Sequence, residues 1–191
     1  MKVVVGLGNP GLEYERTRHN VGWWVLDHLA GVWRFDRWTK DGQAMIAAGS
    51  VGGARVRLVK PLTYMNLSGA VLTPYLRRPA WTAATDLLVV VDDVAIPVGT
   101  FRIRATGSAG GHNGLKSVQA TIGSPDYARL RVGIRPEDER QLRGDLADFV
   151  LAKFGRHDAA TVEAVIPRIG KAVECWVRNG VETAMNEFNA G

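Results

Sequence analysis

Two apolar runs of this sequence each end in polar residues that could perform acid–base chemistry. Asn9 follows the run at 3–5, and Asp92 and Asp93 follow the run at 87–91. Such runs are typical of buried parallel strands, and open α/β sheets bind ligands at the carboxyl ends of those strands. His19 comes soon after the first run, so we expect it to meet Asp92 at this edge. A carboxylate there would fix the imidazole tautomer and stabilise the imidazolium that forms when it accepts a proton.

A nucleophilic serine or cysteine is not indicated by the sequence. A Gly-x-Ser-x-Gly elbow around Ser108 would need glycine at position 106, where the chain has Thr106. Cys175 lies in an apolar stretch with helical periodicity, which predicts inert packing. The residues therefore predict a histidine that acts on water, without a covalent intermediate.

Three glycines after the first run match the dinucleotide-binding fingerprint as a bare pattern, namely Gly6, Gly8 and Gly11. That fingerprint requires a helix that opens within the glycine triplet, whereas Pro10 and a polar stretch delay the helix here. We predict instead a tight turn in which the glycines adopt positive φ, and no cofactor.

A metal site made of His19, His112 and Asp92 is a further alternative. The sequence contains no His-x-His, Cys-x-x-Cys or His-Glu-x-x-His spacing, which would mark such a site. We therefore predict no metal.

Three asparagines lie in predicted turns, at Asn9, Asn66 and Asn113. Asparagine in a turn needs no function, because it tolerates unusual φ and bonds its own backbone. Together, however, the three amides could hold a substrate carbonyl and a water molecule.

Positive charges surround the glycine-rich loop at 106–114. They are Arg102, Arg104, Arg129, Arg131 and Lys116. Alternating arginines on two predicted strands form either a solvated sheet face or, beside a helix start, a phosphate-binding edge. The net charge of +5 favours a polyanionic partner without proving one.

The remaining periodicity predicts an α/β fold, with a single domain over 1–191 and a twisted mixed sheet surrounded by helices. Dipeptides typical of hairpins predict an antiparallel set of strands at 32–40, 44–50 and 54–60. A helix of about ten residues should follow Asn66 and pause at Pro74. Further strands are predicted at 99–105 and 128–134, and helices at 20–32, at 115–122 and from 145 onward, where Pro167 should interrupt the pattern.

Composition indicates an ordinary globular protein, with 46% hydrophobic and 23% charged residues in 191. The absence of a long apolar run or an apolar leader predicts that the chain neither enters a membrane nor is exported. With one cysteine it has no internal disulfide, and a reducing cytoplasm is the simplest compartment.

Several segments resemble the motifs of the bacterial peptidyl-tRNA hydrolase family. They are VGLGNPG at 5–11 with Tyr14, TRHNVG at 17–22, KPLTYMNLSG at 60–69, GSAGGHNGLKS at 107–117, RLRVGI at 129–134, DFVL at 148–151 and NEFN at 186–189. The resemblance implies a monomeric cytoplasmic α/β enzyme that needs no metal, cofactor or obligate protein partner. Its substrate would be peptidyl-tRNA, cleaved at the ester between the peptide and the terminal ribose.

The resemblance also implies roles for individual residues. His19 resembles the general base, Asp92 the carboxylate that holds it, and Asn9 the residue that separates N-blocked from free aminoacyl-tRNA. Asn66 and Asn113 resemble the amides that bind the peptide backbone and orient the water.

Two further groups of residues complete the implied site. Those that resemble the lining of the cleft are Tyr14, Tyr64, Met65 and His112. Arg104 and Arg131 resemble a clamp on the tRNA 5′-phosphate, where arginine offers a planar fork.

Two other functions remain open for these residues. One is an RNA-binding protein that has kept the fold and lost turnover, against which the intact His19, Asp92, Asn9 and Asn113 argue. The other is an esterase for small acyl esters, which would use the same base and amides but leave the arginines without a role.

Overall fold

Two strands whose apolar runs are fully buried form the centre of the fold in the computed structural model, which describes residues 1–35 and 37–189. They are β1 (Lys2–Gly6) and β5 (Leu87–Pro97), which pair in parallel. The apolar residues 3–5 and 87–91 are 0% exposed, because helices cover both faces of the sheet. Burial on both faces explains why these runs are continuous rather than alternating.

Five more strands complete one seven-stranded mixed sheet. They are β2 (Thr39–Asp41), β3 (Ala44–Val51), β4 (Ala54–Pro61), β6 (Phe101–Arg104) and β7 (Ala128–Arg135), in the order β2-β3-β4-β1-β5-β7-β6. The four central strands β4, β1, β5 and β7 run parallel, so their carboxyl ends reach one edge. The predicted α/β fold with a mixed sheet is confirmed.

Seven α-helices and four 3-10 helices, the latter called 3-10 turns below, connect these strands in the described part of the chain. The helices are α1 (Val21–Val32), α2 (Thr73–Leu76), α3 (Ala83–Asp86), α4 (Asn113–Ile122), α5 (Leu146–Leu151), α6 (Arg156–Asn179) and α7 (Val181–Phe188). The 3-10 turns are Leu12–Tyr14, Arg18–Asn20, Met65–Leu72 and Glu139–Leu142. Helices α1, α6 and α7 pack on one sheet face, and α4 packs on the other with the turn Met65–Leu72. Within this part of the chain, none of the helices has the length and apolar character to cross a membrane.

The helix expected after Asn66 differs from the prediction in type. The segment Met65–Leu72 is a 3-10 helix, and Pro74 lies in the first turn of α2 instead of pausing a longer helix. Asparagine, serine and glycine in this segment favour α-helix weakly, and proline is well tolerated in a first helical turn.

Pro167 does not interrupt the C-terminal helix, so that prediction was wrong. Helix α6 runs unbroken from Arg156 to Asn179 with Pro167 inside it. Pro167 and the residue four positions earlier, Glu163, both face solvent, where water can bond the carbonyl that loses its backbone partner.

The predicted antiparallel strands are confirmed for β2, β3 and β4 but differ at their start. The region predicted as a strand at 32–40 forms one only over Thr39–Asp41, and position 36 lies outside the described residues. In addition, β4 pairs in parallel with β1, which joins this set to the main sheet.

The outer edge of β6 is occupied by a side chain from the end of the chain. Asn189 accepts a hydrogen bond from the Ile103 N–H and donates one to the Ile103 carbonyl, both at 2.9 Å. The amide thus bonds this edge strand as a neighbouring strand would.

Close contacts between α1 and the sheet explain two of the first three glycines. A Cβ on Gly6 would lie 2.6 Å from the Gly22 carbonyl oxygen, and one on Gly8 would lie 2.7 Å from the Trp23 indole. Only Gly11 of the three has a positive φ, 117°, so the predicted conformation was wrong for Gly6 and Gly8. Helix α1 also begins well after the triplet, unlike the helix of a dinucleotide site.

We expect Gly22→Ala to destabilise the protein while Gly31→Ala, in the same helix, does not. A Cβ on Gly22 would lie 2.7 Å from the Val90 carbonyl and 2.9 Å from the Leu7 backbone, whereas nothing lies within 4 Å of one on Gly31. Urea unfolding followed by circular dichroism should show a loss of about 3 kcal/mol or more for Gly22→Ala. Gly31→Ala should gain about 0.5–1 kcal/mol from helix propensity. Equal effects would contradict the close packing of α1.

Candidate active site

A buried carboxylate within β5, directly after the apolar run of that strand, receives hydrogen bonds from two histidines. Asp92 is 3% exposed. The His19 Nδ1–H donates to its two oxygens at 3.0 and 2.9 Å, and the His112 Nε2–H donates to Oδ1 at 2.8 Å. The predicted meeting of His19 with Asp92 is therefore present in the structure, with His112 as a second donor.

The tautomer of His112 follows from its position at the start of α4. Its Nδ1 accepts hydrogen bonds from the Gly114 N–H at 3.1 Å and the Leu115 N–H at 3.4 Å, so it caps the helix. An accepting Nδ1 carries no proton, and the ring proton is therefore on Nε2, facing Asp92. Sequence reasoning assigned His112 to the cleft lining and missed this bond.

His19 has the opposite arrangement of its ring nitrogens. Its Nδ1 is bonded to Asp92, and its Nε2 has no hydrogen-bond partner among the described residues. The side chain is 12% exposed and lines a cleft of about 590 Å³. An imidazole with Nδ1–H held by a carboxylate and Nε2 open to a cleft can accept a proton from water.

The protonation state of Asp92 is set by opposing effects. Burial acts to raise the pKa of the carboxyl group, but the positive charges that His112 and His19 carry when protonated, together with the hydrogen bonds from both rings, act to lower it. The net result is a pKa well below the ordinary value for aspartate. Asp92 therefore stays anionic at neutral pH, where its charge stabilises a proton on His19.

Asn9 is held rigidly at the same edge of the sheet. Its Oδ1 accepts from the Met65 N–H at 2.8 Å, which leaves the Nδ2 donor for the cleft that Asn9 lines. Its backbone N–H donates to Asn20 Oδ1 at 2.9 Å, and Asn20 Nδ2 donates to its carbonyl at 3.0 Å. Asn20 is fully buried and was missed, because an asparagine before a helix is ordinarily an N-cap.

The cleft gathers all but one of the eleven residues to which the family resemblance assigns a role. Those that line it are Asn9, Tyr14, His19, Tyr64, Met65, Asn66, Asp92, His112, Asn113 and Arg131. The exception, Arg104, lies outside the lining on the edge strand β6.

The basic edge is smaller than the sequence predicted. Arg129 is fully buried, and its guanidinium donates to the backbone carbonyls of residues 107, 125 and 127. Arg131, by contrast, lines the cleft and donates to Asp93 at 3.4 Å. Arg102 pairs with Arg131 in the antiparallel β6–β7 ladder, so Arg102, Arg104 and Arg131 share one face.

An apolar wall on one side of the cleft comes from α5, which sequence reasoning did not assign to the site. The wall residues are Leu146, Ala147, Val150 and Leu151. Asp145 accepts a hydrogen bond from the Ala147 N–H and starts the helix. The sequence signals were this cap before a short apolar segment and the DFVL motif at 148–151, which sequence reasoning did not connect with the site.

The metal alternative fits the donor geometry poorly. Ligand atoms of His19, Asp92 and His112 lie within 4.8 Å of one another. Binding through His112 Nε2 would move its proton to Nδ1, which accepts the hydrogen bonds that cap α4. The distances of 2.8–3.0 Å are those of hydrogen bonds from imidazole N–H groups to a carboxylate.

Comparison with known proteins gives consistent matches. A family model described as peptidyl-tRNA hydrolase matches residues 3–191. A peptidyl-tRNA hydrolase of Gemmatimonas aurantiaca is 60% identical over 98% of this chain and 99% of its own, and one of Fervidobacterium nodosum is 43% identical over 98% and 96%. The crystal structure of peptidyl-tRNA hydrolase from Acinetobacter baumannii superposes with a TM-score of 0.84 at 32% identity, over 100% of this chain and 95% of that chain.

We expect Asn20→Asp to destabilise the protein more than the same change at an exposed site. The carboxylate of this variant could still accept from the Asn9 N–H but would oppose the Asn9 carbonyl with a second acceptor in a fully buried position. Chemical unfolding should show a loss of about 2–4 kcal/mol. Asn186→Asp, on the exposed side of α7, should change stability by less than about 0.5 kcal/mol. Similar small changes for both would contradict the reciprocal bonds between Asn9 and Asn20.

Proposed function

This chain belongs to the peptidyl-tRNA hydrolase family, and on that premise we propose that His19 and Asp92 perform its ester hydrolysis. The bond cleaved joins the carbonyl of a peptide, or of an N-blocked amino acid, to the 3′-terminal ribose of tRNA. Cleavage returns free tRNA from prematurely released peptidyl-tRNA.

The hydrolytic step uses water and no covalent intermediate. His19 Nε2 takes a proton from water as its oxygen attacks the ester carbonyl carbon, and Asp92 stabilises the resulting imidazolium. The imidazolium then returns the proton to the ribose oxygen as the ester bond breaks. An aminoacyl ester is already activated, so this route requires neither metal nor cofactor. The main support for this proposal is the pair of hydrogen bonds from His19 Nδ1 to Asp92. They hold the ring proton on Nδ1, so Nε2 is free to act as the base.

Amide groups around the cleft hold the substrate. Asn9 Nδ2 is a donor of fixed orientation, because Oδ1 is bonded to the Met65 N–H. Asn66 and Asn113 contribute further amides that bind the peptide backbone and orient the water. Met65 also forms part of the lining, with Tyr14, Tyr64 and His112.

Asn9 separates N-blocked from free aminoacyl-tRNA. Its Nδ2–H donor bonds the carbonyl that an acyl group places on the amino nitrogen, whereas a free α-ammonium offers only donors. Two facing donors repel, so the free aminoacyl ester is disfavoured.

Arg104 and Arg131 bind the tRNA 5′-phosphate. Both lie on one face of the β6–β7 edge, with Arg131 inside the cleft and Arg104 exposed. Phosphate contacts are independent of base sequence and weaken with salt, as an enzyme that serves many tRNAs requires.

The whole chain over 1–191 acts as one domain in this proposal. It works as a monomer without an obligate protein partner, because the described cleft contains the base, the carboxylate and the amides together. The single cysteine suits the reducing cytoplasm, where this proposal places the protein.

We expect His19→Ala to abolish nearly all hydrolysis while tRNA binding persists. Loss of the base should lower kcat on N-acetyl-aminoacyl-tRNA by about 10²-fold or more. His157→Ala, which removes an exposed histidine paired with Glu137, is the matched control and should keep wild-type turnover. Single-turnover assays and a filter-binding assay measure the two properties. Turnover like that of the wild type in His19→Ala would overturn the assignment.

We expect Asn9→Asp to reduce the preference for N-blocked substrates. One oxygen of the new carboxylate can still accept from the Met65 N–H, and the other replaces the Nδ2 donor in the cleft. That second oxygen repels the acyl carbonyl of an N-blocked substrate and attracts the ammonium group of a free aminoacyl ester. The rate on N-acetyl-aminoacyl-tRNA should fall by about 10²-fold, and the rate on the free aminoacyl ester should fall less. An unchanged ratio of the two rates would contradict the role of Asn9.

An assay of the wild-type protein on N-acetyl-aminoacyl-tRNA and on a tRNA-free acyl ester distinguishes the proposed function from the other two. The assay contains no added metal and is repeated with a chelator. Binding of tRNA without release of the acyl group would indicate an RNA-binding protein. Comparable turnover of a tRNA-free acyl ester, unaffected by Arg104→Ala with Arg131→Ala, would indicate a general esterase.

A further inference from the structure

A buried arginine lies beside the catalytic histidine in the chain and bonds the apolar wall. Arg18 is 4% exposed, and its guanidinium stacks on the Phe149 ring at 4.0 Å from the centroid. The same group donates to the Phe149 carbonyl and to Gln141 Oε1, each at 3.0 Å. The Arg18 backbone N–H donates to the Ala152 carbonyl at 3.1 Å. One residue thus joins the turn that carries His19 to both ends of the segment 141–152.

The burial of this cation is costly for a residue with only a packing role. Its hydrogen-bond acceptors within the described residues are neutral oxygens, and Asp158 acts on it only at longer range. Burial lowers the pKa of the guanidinium, and the Asp158 charge opposes that effect. An apolar side chain would fill the same space without desolvating a charge. The planar guanidinium of Arg18 therefore has a role beyond packing, and its two hydrogen bonds to the segment 141–152 indicate that role.

The segment that Arg18 binds has little stability of its own. Helix α5 has six residues, and helices this short are unstable without tertiary contacts. Its inner anchor, Phe149, is the residue on which the guanidinium stacks.

The outward side of α5 faces the cleft with large apolar groups. Leu146 is 52% exposed and Leu151 is 43% exposed, and both line the cleft with Val150. Exposed leucines in the wall of a cleft mark a surface that binds an apolar group. Because the same cleft holds His19 and Asp92, that group belongs to the acyl part of the substrate.

We propose that Arg18 is a positioning residue that fixes α5 at one distance from His19, so that the wall binds an apolar side chain of the esterified amino acid. This inference rests on the proposed function of the cleft. Lysine in place of Arg18 keeps the charge but cannot bond two acceptors with a planar fork. Loss of the fork lets α5 move away, which weakens contacts to a leucyl side chain but removes nothing from a glycyl residue.

The test compares N-acetyl-leucyl and N-acetyl-glycyl esters on the same tRNA. Wild-type protein should have the higher kcat/KM for the leucyl ester, and Arg18→Lys should lower the leucyl-to-glycyl ratio by about 10-fold, mainly through KM. Hydrogen exchange of the amides at 143–152 should accelerate. Arg16→Lys is the matched control, because Arg16 is exposed and pairs with Glu163 at 3.0 Å outside the cleft. It should leave both the ratio and the exchange unchanged.

Other variants keep the test decisive if Arg18→Lys does not fold. Gln141→Ala removes one acceptor of the fork and should lower the same ratio to a smaller extent. Leu146→Ser changes the wall itself and should lower the ratio without affecting Arg18. A ratio that stays constant in all three variants would overturn the inference.

A purely structural role has a different signature. Partial unfolding lowers kcat/KM for both esters by the same factor. An equal loss of kcat/KM for the two esters with an unchanged KM would therefore also overturn the inference. Failure of the wild-type protein to cleave either ester would instead refute the proposed function.

Discussion

The burial of the Asp92 carboxylate is the constraint on which the site depends. A buried anion without partners would be very costly, and here two imidazole N–H groups satisfy it. Each donor is itself fixed by a backbone element, His112 by capping α4 and His19 by the turn that precedes α1. The part of β5 that follows its apolar run and the starts of two helices therefore have to meet at one point, and the cleft forms where they meet.

The sequence was sufficient to bring His19 and Asp92 together, because the pattern that predicts their meeting is local. The apolar runs of β1 and β5 are too hydrophobic for anything except central parallel strands, so their carboxyl ends had to share an edge. A histidine shortly after one strand and an aspartate at the end of the other then came together. Asn9 was located by the same reasoning, whereas Asn66 and Asn113 were assigned to the site by the family resemblance.

What sequence reasoning missed depends on packing between distant parts of the chain. Asn20 was predicted only as the first residue of a helix, and its bonds to the Asn9 backbone require the close approach of α1 to the sheet. Arg129 alternates with Arg131 and looked equally free, but the loop at 107–108 covers it. Helix α6 continues through Pro167 because Pro167 and Glu163 face solvent, and hydrophobic periodicity alone does not predict that exposure. A helix was predicted from 145 onward, but its periodicity does not show that α5 packs beside the cleft.

The amide of Asn189 on β6 has a consequence for the behaviour of the protein at high concentration. An uncovered edge strand can recruit a strand of another molecule and start aggregation. Asn189 bonds both the N–H and the carbonyl of Ile103, and thereby blocks the middle of that edge with a single side chain. Protection of this edge against strand addition thus depends on one amide, so loss of Asn189 exposes the edge to strand pairing while the chemistry of the cleft stays intact.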